Sequence, residues 1–208
     1  IRRIKMFELY SIPVLISMVA FILTTHITPG PTNIMLLSSA LNFGYKKSIP
    51  FMIGCVISYP LMMILAGFGV SVFLIKYPTV MLVMKIFGII YLSWMAWRIA
   101  TDNSTYDSVD VIKKPFSFID AFIYTILNPK AWIVYTSILS IFVTSVEESM
   151  YQIGIIVLII LISMIITVYV WALGGVILKK FIKNKKFIKS LNLSMAILLI
   201  FSIVQMIT

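Results

Sequence analysis

Long apolar stretches separated by short polar clusters dominate the sequence. A helix needs roughly 20 apolar residues to cross ~30 Å of hydrocarbon, and the stretches are close to or beyond that length. The pattern predicts an all-α integral membrane protein with six transmembrane helices, forming a single transmembrane domain over 1–208. The six stretches lie at about 9–28, 49–75, 79–99, 117–146, 151–178 and 191–207.

Composition supports the same class of protein. Hydrophobic residues make up 61% of the 208 positions and charged residues 12%, and the mean hydropathy is +1.08. A soluble domain is closer to half apolar. A soluble protein of this size lacks the polar surface to cover so many apolar helices, so we expect lipid to cover them.

Two of the six stretches contain a proline break. The first runs into Thr28-Pro29-Gly30-Pro31, and the fourth is interrupted at Asn128-Pro129. Proline lacks the amide hydrogen and clashes with the preceding turn, so it ends or kinks a helix. Thr28 and Asn128 are each typical of an N-cap followed by proline at the first helical position. We therefore expect the first and fourth helices to be broken inside the membrane, although a plain proline kink without function is the alternative.

An offset of 100 residues aligns the fourth stretch with the first. It divides the chain into repeat 1, about 9–99, and repeat 2, about 117–207, with three spans each. An odd number of spans puts the two repeats in opposite orientation. Inverted repeats with broken helices recur in secondary transporters, whose site lies near the midplane. The aligned pairs are Thr25 with Thr125, Thr28-Pro29 with Asn128-Pro129, and Gly54 with Gly154.

The distribution of Lys and Arg predicts the orientation, because cytoplasmic loops carry an excess of these residues. The loops near 42–48, 98–116 and 179–190 hold eleven of them, against four on the other side. This predicts that both termini lie outside. The net charge of +10 owes much to the cluster from Lys179 to Lys189. Attraction to anionic lipid headgroups explains that cluster without nucleic-acid binding.

The start of a half-helix inside the membrane has unpaired amides and a partial positive charge, which suits a carboxylate. Carbonyls freed on the other side of each break are expected to meet a cation. A lysine at the centre of a membrane helix costs ~2.5–3.5 kcal/mol by insertion scales, so Lys130 is expected to face a wet cavity or to snorkel to the headgroups. The candidate binding residues are Thr28, Pro29, Gly30, Pro31, Asn33, Asn128, Pro129 and Lys130.

Four sequence blocks resemble the LysE/RhtB family of amino-acid exporters, and they occur in order along nearly the whole chain. Within that family the chain is most similar to the branch that exports cysteine and O-acetylserine, through Ser38-Ser39 and the aromatic residues Tyr91, Trp94 and Trp97. The blocks are HITPGPTNIMLLSSA at 26–40, GIIYLSWMAWR at 88–98, KPFSF at 114–118 with LNPK at 127–130, and WALGG at 171–175.

The resemblance implies efflux of small neutral amino acids, of the cysteine/O-acetylserine or threonine/homoserine type, across a bacterial inner membrane. It implies a transporter rather than an enzyme, driven by the proton-motive force, with the amino acid and protons as partners and no cofactor. His26 titrates near neutral pH when unperturbed, so His26 and Asp120 are candidates for carrying the coupling proton. Asp120 departs from the family's usual small residue, and a solvated position near the interface is its alternative role. A homo-oligomer is compatible with the sequence.

Other functions fit the residues less well. The lone cysteine, Cys55, cannot perform the disulfide exchange that needs a pair of thiols. The lone histidine, His26, does not make a metal site by itself, and no glycine-rich phosphate loop occurs. A non-transporting membrane component, or a relative of thiol-redox or metal-exporting proteins, remains the alternative. The paired breaks favour a transporter, because a scaffold does not need two polar gaps.

Overall fold

The computed structural model describes residues 9–101, 114–181 and 185–207, apart from the side chains of residue 185 and of 205–207. Within those ranges the regular secondary structure is entirely α-helical, as predicted. Arg2, Arg3, Lys5 and most of the 98–116 loop, which entered the prediction of orientation, lie outside the described residues. The helices are α1 (Ile12–Ile27), α2 (Pro31–Phe43), α3 (Tyr45–Gly67), α4 (Val70–Lys76), α5 (Pro78–Ala100), α6 (Phe118–Leu127), α7 (Pro129–Phe142), α8 (Ser149–Phe181) and α9 (Lys185–Ile207).

Among the described residues, four helices are long and apolar enough to cross a bilayer. They are α3, α5, α8 and the part of α9 from Lys186 to Val204. The pair α1 and α2 makes a fifth candidate span, bent by 55° at its break. The fourth apolar stretch of the sequence becomes α6 and α7, which have 10 and 14 residues. The structure therefore has four or five candidate spans, and a sixth requires α6 and α7 to act together.

The first break differs from the prediction. Thr28 is the C-cap of α1, and its amide donates to the Thr24 carbonyl at 3.2 Å. The next helix begins only at Pro31, with Gly30 as an extended N-cap at φ −152° and ψ 173°. The prediction of Thr28 as an N-cap was wrong because a second proline follows. The residue before a proline avoids the helical region, so Gly30 cannot join a helix that starts at Pro29.

The second break has the predicted form. Asn128 is extended, at φ −85° and ψ 99°, and Pro129 is the first residue of α7. However, the Asn128 side chain does not cap α7; its Nδ2 lies 2.8 Å from the Tyr124 hydroxyl. The two breaks therefore differ in length, with three residues between α1 and α2 and one residue between α6 and α7.

The predicted polar loops are shorter than expected. Only Gly44, at φ 85°, separates α2 from α3, because a glycine tolerates this left-handed φ. Lys179 and Lys180 lie in the last turn of α8, and Lys186 and Lys189 lie in α9. Lysine is a good helix former, so these four lysines of the basic cluster extend the helices; Lys183 lies outside the described residues.

Two glycines allow neighbouring helices to approach closely. One lies on the long helix α8, which packs against α1, α2 and α3, and the other lies where α3 meets α6. A Cβ at Gly175 would lie 2.5 Å from the Leu37 carbonyl oxygen of α2. A Cβ at Gly54 of α3 would lie 2.6 Å from the Phe118 carbonyl oxygen of α6. Gly154 has no neighbour within 4 Å among the described residues. The sequence match of Gly54 with Gly154 therefore does not extend to packing.

Gly175→Ala is expected to destabilise the protein, because the new methyl group meets backbone of α2 that cannot turn aside. Overpacking of this kind typically costs about 1–3 kcal/mol. Thermal unfolding of the purified protein in detergent measures the loss. Gly154→Ala, on the same helix, is the matched control and should leave the unfolding temperature unchanged. Equal effects of the two substitutions would contradict the close α2–α8 contact.

Candidate functional site

A cavity of about 210 Å³ lies between the two helix breaks. Pockets for drug-sized ligands are typically ~300–1,000 Å³, so this cavity suits a smaller molecule. Of the residues predicted to bind, Pro129 is buried at the start of α7 and does not line the cavity. The others do line it: Thr28, Pro29, Gly30, Pro31, Asn33, Asn128 and Lys130.

Several lining residues were not predicted from the sequence. The most informative are three tyrosines: Tyr124 and Tyr135 are buried, and Tyr59 is partly buried. Their positions in the sequence could have indicated a polar site, because Tyr59 and Tyr135 lie well inside apolar stretches, where a buried hydroxyl needs a partner. The remaining unpredicted lining residues are Thr25, Thr32, Ala131, Val134, Met164 and Ser202.

The carbonyls at the end of α1 are occupied by side-chain donors. Asn33 Nδ2 donates to the carbonyls of His26 at 2.8 Å and of Thr28 at 2.7 Å. The Trp171 indole of α8 donates to the Ile27 carbonyl at 3.1 Å. The expectation that these freed carbonyls form an open cation site was therefore wrong, because the chain supplies its own donors.

At the second break, too, a side chain donates a hydrogen bond to a carbonyl at the end of the first half-helix. The Trp132 indole donates to the Ile126 carbonyl at 2.9 Å, so an indole N–H caps the first half-helix at both breaks. The backbone amide of Asn128 donates to the Thr125 carbonyl at 3.4 Å. The amides of Thr28 and Asn128 are thus both used, contrary to expectation. In α7 the amide of Ala131 donates to the Asn128 carbonyl at 3.1 Å, so the amides with no acceptor in their own helix are those of Thr32 and Asn33 in α2 and of Lys130 in α7.

These first turns give the cavity a positive electrostatic character. Thr32 and Asn33 of α2 and Lys130 and Ala131 of α7 all line it, and a helix N-terminus attracts negative charge. Lys130, the second residue of α7, adds a full positive charge and is exposed. Among the lining residues that the structure describes, none is Asp or Glu. This arrangement suits a carboxylate.

His26 lies in the cavity wall with a hydroxyl near each ring nitrogen. Its Nδ1 lies 3.0 Å from Ser163 Oγ of α8, and its Nε2 lies 3.4 Å from the Tyr135 hydroxyl. The Tyr59 ring meets the imidazole edge-on, with centroids 5.5 Å apart. The side chain is buried, with 8% exposed. His26 is therefore linked to hydroxyls of α7 and α8 beside the cavity.

Asp120 does not line the cavity. It forms a capping box with Ser117 at the start of α6, accepting from the Ser117 amide at 2.6 Å. Its Oδ1 accepts from the Tyr91 hydroxyl of α5 at 2.7 Å. Arg98 Nη1 lies 4.0 Å from Oδ2, the oxygen that accepts from Ser117. The geometry gives Asp120 a cap and a link between α5 and α6. A role in proton coupling stays a prediction from the sequence.

Comparison with known proteins identifies related chains. The sequence profile described as "LysE type translocator" matches residues 23–208. A protein of Shigella flexneri serotype 5b (strain 8401), named "Cysteine/O-acetylserine efflux protein", is 31% identical over 196 residues, covering 93% of this chain and 97% of its own. A protein of the same name from Escherichia coli (strain K12) is 30% identical over 187 residues, covering 89% and 93%. No solved structure matches the chain significantly.

The profile match covers most of the chain, from the last part of α1 through both breaks to the end of α9. The relatives align over nearly their whole length at 30–31% identity. The chain therefore belongs to the LysE type translocator family.

Proposed function

We propose that this protein exports small neutral amino acids from the cytoplasm across a bacterial inner membrane. Cysteine and O-acetylserine are the leading substrates, with threonine and homoserine next. Membership of a translocator family and the names of the relatives support the direction and the substrate class. One observation carries the proposal: the cavity between the breaks is lined by the first turns of α2 and α7 together with Lys130.

In this proposal the substrate's carboxylate docks at the first turns of α2 and α7, with Lys130 as its counter-ion. Charge-assisted hydrogen bonds of this kind are stronger than neutral ones. Ala131, Val134 and Met164 supply an apolar wall for a small side chain. A second positive charge on the substrate would be repelled by Lys130 and would meet no carboxylate among the described lining residues. The site therefore favours neutral amino acids over lysine or arginine.

We also propose six spans in two inverted repeats, with both termini outside. Two packing contacts support this arrangement, because α3 packs on α8 and α5 packs on α9. These are the pairs that an axis in the membrane plane would relate. Thr25 and Thr125 also behave alike, each donating to the carbonyl four residues earlier at 2.8 Å. Rocking of one repeat against the other would open the cavity to each side in turn.

For the driving force we propose the proton-motive force, with His26 as the proton carrier. His26 is the only histidine of the chain, and hydroxyls of α7 and α8 flank its two nitrogens. A change in its protonation would alter contacts among α1, α7 and α8. That coupling would link proton binding to the helices around the cavity.

Single cysteines test the number of spans and their orientation. Val146, between α7 and α8, is 92% exposed, and Lys47 is exposed at the start of α3. In intact cells a membrane-impermeant maleimide should label Val146→Cys, but should label Lys47→Cys only after permeabilisation. The native Cys55 is buried and gives little background. If α6 and α7 turn back instead of crossing, both positions will be labelled from the same side.

Efflux from cells tests the function itself. Cells expressing the protein should release labelled cysteine or O-acetylserine faster than vector controls and should resist excess cysteine. Lys130→Met should lower this efflux about tenfold or more, since a hydrogen bond to a charged group contributes ~1.5–3 kcal/mol. Lys130→Arg should restore only part of the loss.

The matched control is Lys46→Met, which removes an exposed lysine from the second position of α3. This variant should export normally, and a blot should show all variants at equal levels. Normal efflux by Lys130→Met would indicate that this lysine only snorkels to the headgroups. Resistance to metal ions alone would overturn the proposed function.

His26→Gln tests the coupling. Glutamine keeps a donor and an acceptor for Ser163 and Tyr135 but does not titrate near neutral pH. In proteoliposomes an imposed pH gradient should drive uphill transport by the wild type and not by the variant. Exchange of labelled for unlabelled amino acid, which needs no gradient, should persist in both. An unchanged response to the gradient would remove His26 from the coupling step.

A further inference from the structure

An amino acid carries an ammonium group as well as a carboxylate, and the positive cavity explains only the carboxylate. None of the described lining residues is Asp or Glu. An ammonium group in this cavity must therefore be held by neutral oxygen atoms or by aromatic rings. The geometry of Asn33 and of the tyrosines shows which oxygen atoms and rings are available to an ammonium group.

The orientation of the Asn33 amide follows from its neighbours. Its nitrogen lies 2.8 Å from the His26 carbonyl oxygen and 2.7 Å from the Thr28 carbonyl oxygen. Carbonyl oxygens only accept hydrogen bonds, so the NH₂ group must face them, and both of its hydrogens are used. Asn33 therefore has no donor left for a carboxylate, and only its Oδ1 is available.

The Oδ1 atom of Asn33 is a hydrogen-bond acceptor that remains available to a ligand. No described residue donates to it, although the side chain is 95% buried, with 5% exposed. Asn33 also lines the cavity, so an incoming ligand can reach this side chain. This oxygen is not among the described buried polar atoms that lack a partner, so it is accessible from the cavity, and an ammonium group can donate a hydrogen bond to it.

Two tyrosine rings line the same cavity. The rings of Tyr59 and Tyr135 have centroids 6.4 Å apart and an interplanar angle of 64°. The Tyr59 hydroxyl is 2.8 Å from the hydroxyl of Thr32, the neighbour of Asn33 in the first turn of α2. A cation near the face of such a ring is attracted by the ring quadrupole. The rings of Tyr59 on α3 and Tyr135 on α7 thus add cation affinity to the cavity.

We propose that Asn33 Oδ1, together with the rings of Tyr59 and Tyr135, forms the subsite for the α-ammonium group of the substrate. This rests on the proposed function and orders the substrate within the cavity, with its carboxylate towards Lys130 and its amine towards Asn33. The first-turn amides of α2 oppose a cation, so the acceptor oxygen and the rings must outweigh them. The site then selects zwitterionic α-amino acids and rejects carboxylic acids that lack the amine.

Competition during counterflow tests this subsite. Purified protein in proteoliposomes exchanges labelled cysteine in the presence of unlabelled cysteine or 3-mercaptopropionate, which is cysteine without its amine. A merely positive cavity would bind the anionic 3-mercaptopropionate at least as well as cysteine. The subsite predicts that wild-type protein binds it about tenfold or more weakly, as expected for a lost hydrogen bond to a charged group.

Substitutions separate recognition from structural damage. Asn33→Ala also removes the two hydrogen bonds to the His26 and Thr28 carbonyls, so it should weaken competition by both compounds. It should weaken cysteine more, so that the ratio of cysteine affinity to 3-mercaptopropionate affinity falls towards one. Tyr135→Leu should lower this ratio of cysteine affinity to 3-mercaptopropionate affinity, whereas Tyr135→Phe, which keeps the ring, should leave the ratio unchanged. Asn42→Ala is the matched control: Asn42 is also buried on α2, but it pairs with Asn192 of α9 and does not line the cavity. Its ratio should equal that of wild type.

Equal competition by the two compounds in wild-type protein overturns the subsite alone. A wild-type ratio that persists in both Asn33→Ala and Tyr135→Leu also overturns it, because a structural role would weaken both compounds together. A wild-type protein that exchanges none of cysteine, O-acetylserine, threonine and homoserine overturns the proposed function, and the subsite with it.

Discussion

Two hydrogen bonds from the single amide group of Asn33 hold the first helix break together. The break removes helical partners from the carbonyls of His26 and Thr28, and an unsatisfied carbonyl in hydrocarbon costs several kcal/mol. Asn33 reaches back from the first turn of α2 to satisfy both. Trp171 adds a donor from α8 to the carbonyl between them. These bonds join α1, α2 and α8, so the direction of α2 and the position of its N-terminus depend on them.

The cavity follows from this arrangement. Because the carbonyl end of the first break is occupied, the groups left to face the cavity are the N-terminal ends of α2 and α7 and the side chains around them. The two breaks share an indole cap but differ in length, and the site is accordingly asymmetric. Lys130 lies on the α7 side, whereas the Asn33 oxygen lies on the α2 side. A zwitterion with opposite charges on neighbouring groups matches this asymmetry.

The sequence predicted the features that depend on local chemistry. The apolar stretches predicted the helices, the prolines predicted both breaks, and the residues predicted around the breaks include eight of the 17 described residues that line the cavity. The start of α2 was misplaced because Gly30 is constrained by Pro31, which a search for N-caps overlooks. The capping role of Asp120 was readable from Ser117-x-x-Asp120. The tyrosines could not be assigned, because only the packing of α3, α6 and α7 brings Tyr59, Tyr124 and Tyr135 to one cavity.

The central claim is that the cavity between the two breaks holds the transported amino acid. An experimental structure of the protein saturated with O-acetylserine tests this claim most directly. The account predicts ligand density between the first turns of α2 and α7, with the carboxylate towards Lys130. Ligand density elsewhere in the protein, with this cavity left empty, would contradict it.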